Sequence, residues 1–261
     1  MKLTLWSMLL ILSSLSTVLA ATEQEMHLGR FSNGDMTGWK EQTLGLMKPK
    51  TTYSISKINE HSVLLATSKK SASGQIYKLN IDPKEYPILS WSWKIDHTIK
   101  KGDERTKEGD DFAARVYVLF PRGFFTKTRA ICYVWANKLP KGTHVTSPFT
   151  ANVITVAVDS GDELAGRWTS HQRNVYEDYK SFFKEEPPKL GAVAIMTDTD
   201  NTSESAIGYY GDISLLHSGK VDEPDNGKKE QRLKDTKQKE QIKEERGNKG
   251  FSRYSTSGPS R

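Results

Sequence analysis

The sequence predicts an all-β fold, an antiparallel jelly-roll-like sandwich with one short helix. Three observations lead there. Between about Thr22 and His217 the apolar residues recur with a period of two, as on strands with one buried face. Clusters of Gly, Pro, Asp and Lys separate these runs. Only one stretch has helical spacing, so no alternation of strand and helix suggests a parallel sheet.

Nine stretches read as strands: TTYSISKI, SVLLATS, GQIYKLNI, ILSWSWKID, FAARVYVLF, AICYVWAN, NVITVAVDS, GAVAIMTD and IGYYGDISLL. They are rich in Val, Ile, Tyr and Trp, residues that fit a pleated, half-buried surface. NIDPKEYP, KKGDERTKEGDD, PRGFFTKT and KLPKGTHVTSP read as the connections. In RNVYEDYKSFFKEEPP the apolar Val175, Tyr176, Tyr179, Phe182 and Phe183 follow helical spacing, and Pro187 and Pro188 stop it. That helix is expected to lie over a sheet edge.

The flanks differ from the middle. Residues 1–20 read as a signal peptide: Lys2, an apolar run from Leu3 to Leu12, and small residues before a cleavage expected ahead of Ala21. An uncleaved anchor is the other reading, against which the serines shorten the apolar run below the roughly 20 residues of a span. Residues 21–217 form the sandwich domain. Residues 218–261 read as a charged, disordered tail, because Leu233 and Ile242 are too isolated to give an apolar helix face. From Gly219 onward, 12 lysines and arginines stand against 8 acidic residues, so the chain's net +6 leaves the domain close to neutral. That argues against a specific nucleic-acid reader, whose folded domain usually carries a basic face. It leaves open a contact of the tail with an anionic envelope surface. With Cys132 as the single cysteine, an exported chain has no internal disulfide. The expected location is periplasmic or secreted, with no membrane span after cleavage.

Two resemblances sharpen the picture. FSNGDMTGW, a Phe, a Gly-containing turn and then Gly-Trp, resembles the opening of jelly-roll carbohydrate-binding modules, and YYGDISLL resembles their closing strand. GDERTKEGDDFAARVYVLF, YVWANK, RNVYEDYKSFF and GAVAIMTDTDNTSESAIGYYGDI resemble DUF3047, a family of bacterial exported proteins of unknown function, over most of Phe31 to Leu216. The resemblance implies that the Gly-Asp-Asp turn, the Arg115 strand and the Asp-Thr-Asp-Asn turn belong together. It implies no activity.

Two constellations can carry chemistry. In MTDTDNTSESA the residues Asp198, Asp200 and Glu204 offer oxygen ligands for a structural calcium ion. Calcium is the one cofactor the sequence suggests. The spacing is not that of an EF-hand, since Tyr209 stands at the twelfth position from Asp198. The competing reading is a turn whose side chains bond nearby backbone.

The second constellation surrounds Arg115. Strand alternation puts Ala113, Arg115, Tyr117 and Leu119 on one face. A guanidinium in such apolar company needs a carboxylate or a wet cleft. Asp110, Asp111, Asp198 and Asp200 are the candidate partners. One reading is a buried Arg–Asp bridge. The other is a concave face on which Arg115, Tyr117, Tyr133, Trp135 and Asn137 meet a ligand, with Asp111 and Asp198 at the rim. Flat rings stack on sugar faces while Arg and Asn bond hydroxyls, so a glycan or another polar small ligand is the expected partner. Trp91 and Trp93 read as core or as part of the same row.

No catalytic residue is assigned. The Gly-x-Ser-x-Gly and His-Glu-x-x-His patterns are absent, and His61, His97, His144 and His171 lie scattered. A glycan-cleaving hydrolase or lyase, and a purely structural envelope protein, are the alternatives to a binder.

Overall fold

A computed structural model of the chain describes residues 25–44, 48–123 and 127–218. The expected signal peptide, residues 1–20, and the charged segment from Gly219 onward lie outside the described residues.

All nine expected strands form. They are β3 (Thr52–Ile58), β4 (His61–Lys69), β5 (Ala72–Ile81), β6 (Ile88–Ile95), β7 (Arg115–Phe120), β8 (Arg129–Ala136), β10 (Val153–Ser160), β12 (Leu190–Asp198) and β13 (Ser205–Leu216). Four more were not expected: β1 (Glu25–Gly29), β2 (Trp39–Thr43), β9 (His144–Thr146) and β11 (Thr169–Asn174). The helix α1 spans Val175–Phe183. Asn174 caps it, its side-chain oxygen accepting the Glu177 N–H at 3.0 Å.

The strands make two sheets. One runs β11-β6-β13-β4-β3, with β1 also on β13; the other runs β2-β5-β12-β7-β8-β10-β9. Pairing is antiparallel except between β8 and β10, which run parallel. The chain between them passes through β9, which adds to the outer side of β10.

The inner faces meet in one apolar core. Leu89, Trp91, Trp93 and Ile95 of β6 and Tyr210, Ile213 and Leu215 of β13 come from the first sheet. Val116, Val118 and Phe120 of β7 and Ile131, Tyr133 and Trp135 of β8 come from the second. A smaller cluster of Phe112, Cys132, Val134, Ala136, Leu139 and Ala157 lies on the outer side of the second sheet. Close approach of β13 to the Arg115 strand requires glycine at 208, where a Cβ would stand 2.3 Å from the Ala113 carbonyl oxygen. Among the described residues no helix is long and apolar enough to cross a membrane.

Candidate functional site

Strand pairing divides the expected ligand trough. Tyr133 lies opposite Val116, whereas Arg115 lies opposite Val134 and Tyr117 opposite Cys132. Tyr133 and Trp135 therefore point into the core with Val116, and both are wholly buried. Arg115 and Tyr117 point to the other side of the same sheet. Each strand's alternation was read correctly; the relative register of two strands is what the sequence does not carry. Asn137 is also spoken for. Its amide N–H₂ donates to the Asp111 carbonyl at 2.8 Å, and its side-chain oxygen accepts the Ile99 N–H at 2.8 Å.

The other reading of Arg115 describes what forms. Its side chain is almost wholly buried and donates a short hydrogen bond to Asp198. It pairs with Asp110 at 3.5 Å and lies over the rings of Phe112 and Tyr117. Burial opposes the guanidinium charge, but Asp198, Tyr117 and Asp110 hold it well above its ordinary range, so Arg115 stays charged. Asp111 closes the neighbouring turn. It accepts the Thr202 N–H at 2.6 Å, the Thr202 hydroxyl at 2.7 Å and the Asn201 N–H at 3.3 Å. Asp111 and Asp198 are thus anchors, not the rim of a cleft.

The expected calcium set does not assemble as written. Glu204 turns away and accepts the Lys101 N–H at 2.9 Å. Asp111, Asp198 and Asp200 each bring a carboxylate oxygen within 4.8 Å of the others. Each already has a protein donor: Thr202, Arg115 and, at 2.5 Å, Lys48. Calcium takes six to eight oxygens; here Asp111 bonds the neighbouring turn, while Asp198 and Asp200 pair with Arg115 and Lys48.

A different place gathers polar groups around open space. Where β10 of one sheet faces β11 of the other, under α1, lies a cleft of about 450 Å³. Its walls include Lys141, His144, His171, Gln172, Arg173, Asp178, Ser181 and Phe182. Behind its wall, bonded to the lining residues Lys141 and His171, Asp159 of β10 is wholly buried. It accepts from Trp93 Nε1 at 2.8 Å, Thr169 Oγ1 at 2.7 Å, Lys141 Nζ at 3.0 Å and, at 2.7 Å, His171 Nε2. Burial alone would raise the Asp159 pKa. The donors His171, Trp93, Thr169 and Lys141 outweigh it and hold the carboxyl well below the usual range.

Asp178 in the first turn of α1 makes the second anchor. Arg173 donates to it through Nε at 2.9 Å and Nη2 at 2.5 Å, and Tyr133 through its hydroxyl at 2.6 Å. Burial, and then Asp178, push the Tyr133 phenol well up, so it remains a neutral donor. Trp91 packs between Tyr133 and His171, with ring centroids 5.3 Å from each.

Of the residues on this cleft, His144 and His171 stand in the sequence only as scattered histidines and Phe182 only as part of the apolar helix pattern. The companions of His171 lay in plain view in TSHQRN, where Thr169, His171 and Arg173 fall on one face of a strand. The run is polar on both faces, so the apolar period that marks the other strands is missing.

Comparison with known proteins adds the following. The sequence profile described as "Protein of unknown function (DUF3047)" matches residues 37–214. No curated protein matches the chain. Among solved structures, the xyloglucanase domain of NopAA from Sinorhizobium fredii, in complex with cellobiose, is 11% identical with a TM-score of 0.41, covering 69% of this chain and 93% of its own. The CBM22-1 xylan-binding domain of Paenibacillus barcinonensis Xyn10C is 12% identical with a TM-score of 0.38, covering 76% and 97%. A family 30 carbohydrate-binding module of a Clostridium thermocellum cellulosomal cellulase is 10% identical with a TM-score of 0.37, covering 75% and 98%.

Proposed function

From the premise that the chain belongs to the DUF3047 family, whose description attaches no activity, we propose that the domain binds a saccharide or a similarly hydroxylated polar ligand in the cleft between β10, β11 and α1. One observation carries this reading. The cleft's donors are held in place by two carboxylates, Asp159 and Asp178, whose own demands are met inside the protein. Lys141, His171 and Arg173, each bonded to one of the two, therefore line the open space as positioned partners for hydroxyl and carboxylate groups, with Gln172 and Ser181 beside them. Phe182, whose ring lies 4.8 Å from that of His144, adds a flat apolar surface. A volume of 450 Å³ falls within the roughly 300–1,000 Å³ of small-ligand pockets. Preorganised donors of this kind bind without first losing side-chain freedom.

The test is thermal unfolding of the purified chain against a panel of neutral and acidic oligosaccharides. At ten times Kd a ligand stabilises by about 1.4 kcal/mol, or a rise in Tm of about 3–6 °C for a domain of this size. The rise is expected to vanish in Lys141→Ala/Gln172→Ala. A flat response to the whole panel, or an undiminished rise in that variant, would remove the proposal. The N-terminal pattern adds that the domain works outside the cytoplasm. Recovery of the full-length chain in the cytoplasmic fraction of a bacterial host would contradict that.

A further inference from the structure

Resting on the cleft as a saccharide site, we propose that its ligand is a uronic-acid glycan and that the cleft cleaves it by β-elimination, with His171 as the base.

The argument begins with what the cleft's acids cannot do. Hydrolysis of a glycosidic bond ordinarily uses two carboxyl groups, one giving a proton and one activating water or attacking the sugar. The two acids of this cleft are Asp159 and Asp178. Asp159 is wholly buried behind the wall and accepts from four donors. Asp178 accepts two bonds from Arg173 and one from Tyr133. Asp159 is held as an anion by its donors, and both oxygens of Asp178 already accept from Arg173 or Tyr133. Neither presents an uncommitted face to a sugar carbon.

The imidazole is placed differently. His171 Nε2 lies 2.7 Å from an Asp159 oxygen, which accepts only. The proton of the neutral ring is thereby assigned to Nε2, and Nδ1 carries the lone pair. Among the described residues Nδ1 has no hydrogen-bond partner, and the side chain, 13% exposed, lines the cleft. An imidazole held through Nε2 by a carboxylate, with Nδ1 uncommitted on a residue that lines the cleft, has the arrangement of a general base.

Removing a proton from the carbon next to a carboxylate also requires that the carboxylate charge be offset. Lys141 reaches Asp159 from a side chain 59% exposed, so its ammonium can serve a ligand at the cleft mouth. Arg173 stands on the same strand as His171, two residues on. With the uronate carboxylate held by these cations, His171 Nδ1 takes the C5 proton. The electron pair of the C5–H bond forms the C4–C5 double bond. The C4–O bond breaks, and the proton passes from the imidazolium to the leaving oxygen. No water, oxidant or metal is consumed.

The experiment incubates the full chain with short 1,4-linked oligomers of galacturonate, glucuronate, mannuronate and guluronate. It follows ultraviolet absorbance of the unsaturated product, product mass, and binding by calorimetry. Elimination is expected to give fragments whose masses sum to that of the substrate. His171→Gln is expected to lower the rate at least about 100-fold, as loss of a general base does, with a far smaller loss of affinity and a chain that still unfolds cooperatively. Should His171→Gln not fold, His171→Asn with the same binding control serves instead. Fragments that have gained a water, or an unchanged rate in a His171 variant that binds, would overturn the elimination. Binding without any product would overturn it too and leave the binding site standing. Neither binding nor product would remove both.

Discussion

Arg115 carries a charge inside the protein, and its neighbours decide what that charge does. The guanidinium lies between the rings of Phe112 and Tyr117 and meets Asp198 and Asp110. Removing one partner of a buried pair leaves the other uncompensated. Arg115→Ala is expected to cost about 3–5 kcal/mol in urea unfolding, and Arg115→Lys to recover only part of that, since an ammonium neither forks nor stacks in the same way. A cost below about 1 kcal/mol for the alanine variant would show that the bridge is not structural. Cys132, on the same side of the sheet, tests the seal over this region. Burial pushes its thiol up to about 12, so the reactive thiolate is almost absent at neutral pH. The native chain is expected to resist iodoacetamide at pH 8 and to be modified once urea unfolds it. Rapid labelling of the native chain would mean that the outer cluster opens. At this scale the sequence told which residues alternate along a strand, and that an arginine in apolar company needs an acid. The identity of the acid, and which neighbouring strand shares its face, depend on pairing between segments far apart in the chain.

Elements differ in how clearly they announce themselves. The nine apolar strands are internal or bear on the core, so burial imprints a period of two on them. The unexpected β1, β2, β9 and β11 are short or polar, and their residues are mostly part-exposed or exposed. The cleft rests on β11, which is why its residues looked scattered while the sandwich itself was legible. The segment between β6 and β7 shows a different device. Glu104 is wholly buried, and its carboxylate accepts N–H groups from the turn after β8: Asn137 at 2.6 Å and Leu139 at 2.9 Å, with Lys138 at 3.3 Å. One side chain thereby supplies acceptors to three successive backbone donors. Its own segment reaches the β12–β13 turn through Asp111. Hydrogen bonds to a charged group are worth about 1.5–3 kcal/mol each and are not additive. Glu104→Ala should therefore lower stability by at least about 1.5 kcal/mol. It should also speed amide exchange at Asn137 and Leu139 more than at the centre of β8. Uniform acceleration across β8 would instead point to general loosening rather than to a released turn.

At the scale of the molecule, apolar burial closes most of the sandwich among the described residues, and beside the cleft buried charge joins the layers as well. Asp159 belongs to the β2-β5-β12-β7-β8-β10-β9 sheet, while its partners Trp93, Thr169 and His171 belong to the other. The carboxylate thus joins the two layers where they part to form the cleft, and the same bonds that position His171 also bind sheet to sheet. Under the proposed binding role, stability and binding share this residue, which makes it the point where acid should act on both. The folded pKa of Asp159 is depressed, because its donors outweigh its burial. The unfolded carboxyl titrates near 3.9. The stability it contributes is therefore fully present above that value, and it is lost as pH falls below it toward the folded pKa. Asp159→Asn keeps the shape but removes the charge, so the variant is expected to be the less stable at pH 7. The gap between wild type and variant in urea midpoint should narrow as pH falls from about 5 to about 2. Glu104, a buried carboxylate in the connection between β6 and β7 and not among the residues lining the cleft, supplies the control: Glu104→Ala should not change the acid dependence of cleft binding, whereas Asp159→Asn should weaken binding already at pH 7. A gap that stays constant down to pH 2 would mean that the Asp159 carboxylate is not the charged tie between the layers.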